Sequence, residues 1–130
     1  MSPQEIKLMT TKQFESNYNL VFKSVISLLQ SESFLVDDAN NSTGLINATK
    51  VVGNNRKSKS TKISFYIEEF NHELTEVKIT IYEALESTSY GLYGERYKKN
   101  KQNMIYKPDV YNVWFNNLRA DIERRRALTE

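Results

Sequence analysis

Two alternating runs meet at a tight turn, and they constrain the fold more than any other stretch of the chain. In ISFYIEEF, Ile63, Phe65 and Ile67 alternate with Ser64, Tyr66 and Glu68. In LTEVKITIY, Val77, Ile79 and Ile81 alternate with Lys78, Thr80 and Tyr82. A period of two sends one set to each face of a strand. Asn71, His72 and Glu73 between the runs form the turn of an antiparallel hairpin. That hairpin has one apolar face to be covered and one wetter face.

Two amphipathic helices supply the cover. Tyr18, Val21, Phe22, Val25, Leu28 and Leu29 recur at steps of three and four, which is one stripe of a helix. Asn17 is placed to cap it by accepting an orphan backbone N–H. Its end is expected at 31–33, and Lys23, Ser24 and Ser27 fall off the stripe. Near the other terminus Tyr111, Trp114, Phe115, Leu118 and Ile122 form a second stripe. Pro108 suits its first turn, Asp109 its positive end and residues 124–126 its negative end.

The connections follow from turn chemistry. TTKQFE is expected to hold a short edge strand anchored by Phe14. SFLV forms a buried strand, DDANNSTG a turn, LINATKVV a strand and GNNRKSKSTK an exposed loop. The stretch 87–106 holds two glycines, several tyrosines and a basic run, and is expected to be a long loop. Residues 1–10 are expected to fray as a flexible tether, leaving 11–130 as a single domain. The expected fold is α+β and two-layered. An antiparallel four- to five-stranded sheet carries two helices on one face, in the order (β)-α-β-β-β-β-α.

Composition narrows the chemistry. With 130 residues and 39% hydrophobic, the chain supports one core. The absence of cysteine removes disulfides, thiol nucleophiles and thiolate metal sites. Eighteen Lys and Arg against sixteen Asp and Glu give a net charge of +2, too small to mark a nucleic-acid binder by itself. No apolar run approaches the ~18 residues of a membrane-spanning helix, and MSPQEIKLMT lacks the apolar core of a signal peptide.

VDDANNSTGLINATK crowds oxygen ligands ahead of a glycine, as a calcium loop does. Counted from Asp38, the sixth position is Thr43 where a calcium loop needs glycine, and the twelfth is Thr49 where it needs Glu. The stretch is therefore expected to be a turn between neighbouring antiparallel strands holding Val36 and Leu45. His72, the only histidine, lies in a turn with no marked partner for a catalytic dyad. The carboxylates Glu68, Glu69, Glu73, Glu76, Glu83 and Glu86 are expected mostly on the wet face beside lysines. No phosphate-cradling glycine motif and no nucleophile elbow occurs. No catalytic residue, metal site or cofactor is assigned. Residues 56–62 and 95–101 are basic, and Tyr93 and Tyr97 could stack on bases, which leaves nucleic-acid binding as a weaker alternative. Tyr90, Tyr93 and Tyr97, with Tyr106, could also form an adhesive patch, so Tyr90, Tyr93 and Tyr97 are the candidate partner-binding residues.

The stretch from Phe14 to Lys50 resembles a pattern of small bacterial cell-envelope lipoproteins. The matching residues are Phe14, Asn17, Val21, Val25, Leu28, Leu29, Gln30, Phe34, Val36, Asp37, Gly44, Leu45, Ile46, Ala48, Thr49 and Lys50. Pro108, Tyr111, Phe115 and Leu118 are similar to the family's closing helix. The chain departs from the pattern at Lys107, where the family has an aspartate, and at Ser33, where it has a glycine. Such proteins look like the helix-grip domain of BamC, the lipoprotein of the outer-membrane β-barrel assembly machinery. The resemblance implies a β-α-β4-α fold and a non-enzymatic interaction domain at the periplasmic face of the outer membrane, with an unknown envelope protein as partner. It also implies a lipidated cysteine ahead of Met1, with residues 1–9 as tether. Lipid or small-ligand binding between sheet and C-terminal helix is the alternative it implies.

Overall fold

A computed structural model describes residues 2–54 and 56–129. The chain is α+β, with six strands in one antiparallel sheet and three helices. Helix α1 (Pro3–Thr10) leads into strand β1 (Thr11–Phe14) and helix α2 (Tyr18–Ser31). Strands β2 (Leu35–Asn40), β3 (Leu45–Gly53), β4 (Lys57–Asn71), β5 (Leu74–Tyr90) and β6 (Arg96–Met104) follow, and helix α3 (Pro108–Thr129) closes the chain. The spatial order is β1-β5-β4-β3-β2. Strand β6 pairs with Tyr82–Tyr90 of β5, and β1 pairs with Thr75–Lys78 of the same strand.

The hairpin lies where alternation placed it. Its core face carries Ile63, Phe65, Ile67, Val77, Ile79 and Ile81, all buried, and Ile46 and Ala48 of β3 extend that face. Helices α2 and α3 cover it and pack on each other. Trp114 of α3 meets Phe65 and Phe34 edge-on, and Tyr111 donates to the Ile105 carbonyl (2.7 Å) and accepts from the Ile81 amide (3.3 Å). Burial raises the Tyr111 pKa and makes this satisfied hydroxyl necessary, since an unpaired one would be costly there.

Local expectations held at both ends of α2. Asn17 Oδ1 accepts from the Leu20 amide (2.8 Å). At the other end the Phe34 amide bonds the Leu29 carbonyl (2.9 Å) and the Ser33 amide bonds the Gln30 carbonyl (3.1 Å), a helix stop that needs a left-handed residue. Ser33 takes it, at φ 66°. Ser33→Gly should stabilise the protein by about 0.5–1 kcal/mol, read as a higher urea midpoint. Ser24, expected off the apolar stripe, is instead fully buried.

Several expectations are corrected. The expected loop 87–106 is mostly a hairpin: β5 runs to Tyr90 and β6 starts at Arg96. GNNRKSKSTK is likewise strand from Lys57 onward. Among the described residues, none of either segment before Ile63 or in β6 is buried, so their sequences carry no apolar alternation. Backbone pairing makes them strands, β6 with β5 and the start of β4 with both β3 and β5. Residues 3–10 form helix α1, capped by Ser2, rather than fraying, and Thr10 at its end is buried. The sheet has six strands instead of four or five. SFLV is not a buried strand: Phe34 is buried ahead of β2, and Leu35 is 72% exposed on the sheet's edge strand. Asp37, Asp38, Ala39 and Asn40 continue that strand instead of forming a turn, with an irregularity between Val36 and Asp38. Val36 and Leu45 do lie in neighbouring antiparallel strands, as expected.

The base of α3 carries a pH-dependent contact. Asp121 accepts from Arg124 (2.6 Å) and Arg125 (3.0 Å). Burial pushes its pKa up, but the two arginines outweigh burial and hold it below the usual value. A lowered folded pKa means the contribution is complete above the unfolded value of ~4 and is lost as pH falls through the folded value. Asp121→Asn should therefore cost about 1 kcal/mol at neutral pH and progressively less in acid, measured by urea unfolding at several pH values.

Candidate functional site

The helices cover only one end of the sheet. Beyond Ile63 and Ile81 the core-side face continues as Thr61, Lys59 and Lys57 on β4 and Glu83, Leu85 and Ser87 on β5. On β6 the same face carries Asn103, Lys101, Lys99 and Tyr97. None of these residues is buried. Lys59, Leu85 and Lys101 stand abreast, as do Lys57, Ser87 and Lys99. The two lysine pairs lie on strands flanking β5, roughly 10 Å apart, and successive rows are roughly 7 Å apart along the strands. Between them a hollow of about 740 Å³ has Val52 and Leu85 in its lining.

Charge is segregated along the molecule. Residues 50–62 and 82–104 hold nine Lys and Arg against three Glu, a net +6. The rest of the chain holds nine against thirteen, a net −4. The overall +2 therefore hides a basic end and an acidic remainder. Among the described residues, Lys59 pairs with Glu83 at 2.8 Å, and Lys50 donates to the Glu32 carbonyl at the end of α2 (3.1 Å).

The candidate tyrosines are exposed but do not share a face. Tyr90 stands opposite Arg96, whereas Tyr97 stands opposite Ser89 on the other side of the hairpin. Tyr93 lies in the turn between them. A flat patch of three tyrosines is therefore replaced by a tip with aromatic side chains on both sides. The two basic segments, far apart in sequence, flank β5 and meet. Their meeting follows from the pairing of β4 and β6 to the two sides of β5, which no apolar period in either segment announces.

The other candidates resolve locally. Asn40 Oδ1 accepts from the amides of Ser42 and Thr43, and Asp37 accepts from Thr49. Those oxygens serve the turn and the strand pair. Among the described residues no three His, Asp or Glu side chains converge as metal ligands. His72 lies in the two-residue turn between β4 and β5. The space between sheet and α3 is occupied by Tyr111, Phe115, Leu118 and Ile122, all buried. Among the described residues no helix is long and apolar enough to cross a membrane.

No protein-family model matches the chain, and no curated protein matches it.

Proposed function

We propose that the protein is a non-enzymatic interaction domain that binds an anionic component of the bacterial cell envelope through the uncovered half of its sheet. The observation that carries this reading is the segregation of charge, +6 on the uncovered half against −4 elsewhere. Such a field orients the molecule and speeds encounter with an anionic partner. The setting, the periplasmic face of the outer membrane behind an N-terminal lipid anchor, comes from the lipoprotein resemblance. A helix-grip, BamC-like arrangement is supported by the succession β1, α2, β2 to β5 and α3, with α1 and β6 as additions. The filled interior gives no support to a ligand between sheet and α3. Nucleic acid gains as a second reading, because the basic segments 56–62 and 98–101 lie on both sides of β5.

The test is retention on isolated envelope membranes with their proteins in place. The wild-type chain should bind and be released by salt, and the triple variant Lys57→Glu, Lys99→Glu, Lys101→Glu should not bind. These exposed positions leave the core untouched. Equal retention of the variant would overturn the assignment of the surface.

A further inference from the structure

The outermost part of the uncovered half is a turn with an unusual corner. The Gly94 amide bonds the Gly91 carbonyl (3.1 Å), and the Gly91 amide bonds the Glu95 carbonyl (2.8 Å). Leu92 and Tyr93 are thus the two central residues of a β-turn, with Gly94 at φ 84°. Turn corners favour Asn, Asp, Gly, Pro and Ser for local reasons that neither Leu nor Tyr satisfies. Leu92 is 99% exposed and Tyr93 92% exposed, so neither is explained by packing. Glu95 braces the corner by accepting from the Tyr93 amide (3.2 Å).

Behind this apolar tip the cations form a collar. Arg96 and Lys98 lie on one face of the hairpin, and Lys99 and Lys101 on the other. Arg56 adjoins them, its carbonyl bound by the Thr88 amide (2.8 Å), and Lys57 stands opposite Ser87. Tyr90 shares a row with Arg96, and Tyr97 lies on the opposite face between Arg96 and Lys98 in sequence. Along the hairpin an apolar corner comes first, and behind it the two amphipathic rings are interleaved with cations on both sides.

We propose that the β5–β6 tip docks on an anionic lipid bilayer, with Leu92 and Tyr93 entering the interface and the collar meeting the phosphates. The inference rests on the interaction reading above and names its partner. The order of zones matches the order of a bilayer surface met end-on. Leucine favours the acyl boundary, tyrosine the interface, and lysine and arginine the anionic headgroups. A polynucleotide lying in the hollow would call for cations on one face and would leave Leu92 idle. The collar instead has cations on both faces, as a tip surrounded by headgroups requires.

The experiment is co-sedimentation of the full chain with protein-free vesicles of phosphatidylcholine, with and without roughly one-third phosphatidylglycerol. Binding is expected only to the anionic vesicles, and salt should weaken it. Each Lys→Gln change in the collar should lower partitioning roughly fivefold, the equivalent of about 1 kcal/mol per cation. Leu92→Ser with Tyr93→Ser should lower it at least roughly tenfold, while thermal unfolding stays that of the wild type. Undiminished binding by the Leu92→Ser, Tyr93→Ser variant would overturn insertion of the tip. If protein-free vesicles are not bound but envelope membranes are, lipid as partner falls and the interaction reading stands. If neither is bound, both fall. A single-stranded oligonucleotide bound in place of vesicles, with the tip variant unaffected, would assign the cations to nucleic acid.

Discussion

Gly44→Ala is expected to destabilise the protein by roughly 3 kcal/mol or more, the sum of backbone strain and overpacking. Gly44 has φ 82°, a conformation that a side chain rarely adopts. Its amide bonds the Asn40 carbonyl (2.8 Å) and its carbonyl accepts from the Ile67 amide (2.8 Å). That second bond draws β4 so close that a Cβ at position 44 would overlap the Ile67 carbonyl oxygen. The obstacle is backbone in the middle of a paired strand and cannot swing aside. The variant should unfold roughly 10 °C below the wild type in a calorimeter. An unchanged melting temperature would show that the turn and β4 do not make this approach. Calcium should not alter the result, because Asn40 and Asp37 already serve the turn and the strand pair.

The second large effect separates the two halves of one sheet face. Phe65→Ala should cost about 3–5 kcal/mol, since Phe65 is 0% exposed beneath Trp114 and no neighbour can fill the space. Leu85→Ala lies on the same core-side face but should cost less than about 1 kcal/mol, because Leu85 is 47% exposed and no helix covers it. Paired urea titrations measure both. A comparable loss at Leu85 would mean that the helix layer reaches over the basic half, and the proposed surface would then be closed.

The resemblance to envelope lipoproteins rests on residues whose roles are structural. In INATK, Ile46 and Ala48 are buried, Asn47 accepts from Ser64 (2.7 Å), Thr49 donates to Asp37, and Lys50 caps the end of α2. Lys50 also lies over the Phe34 ring. These contacts give each of the five residues a structural role. They tie β3 to β2, β4 and the helix, and none of the five faces the proposed tip.

Where burial shapes the sequence, the sequence was enough. The alternation of residues 63–67 and 77–81, the two helical stripes, the Asn17 cap and Pro108 at the start of α3 each reflect a local rule or a face hidden from water. Those rules determined the class of fold, the hairpin and most of the core. Only the tertiary structure decided what the solvated segments do. Strand β6 and the first part of β4 bury nothing, so no apolar period marks them, and their strand state comes from backbone pairing, β6 with β5 and β4 with both β3 and β5. That pairing brings lysines some forty positions apart into common rows and sets Tyr90 and Tyr97 on opposite faces. Net charge is a sum and carries no position. The basic end emerged only once the strands had been placed side by side.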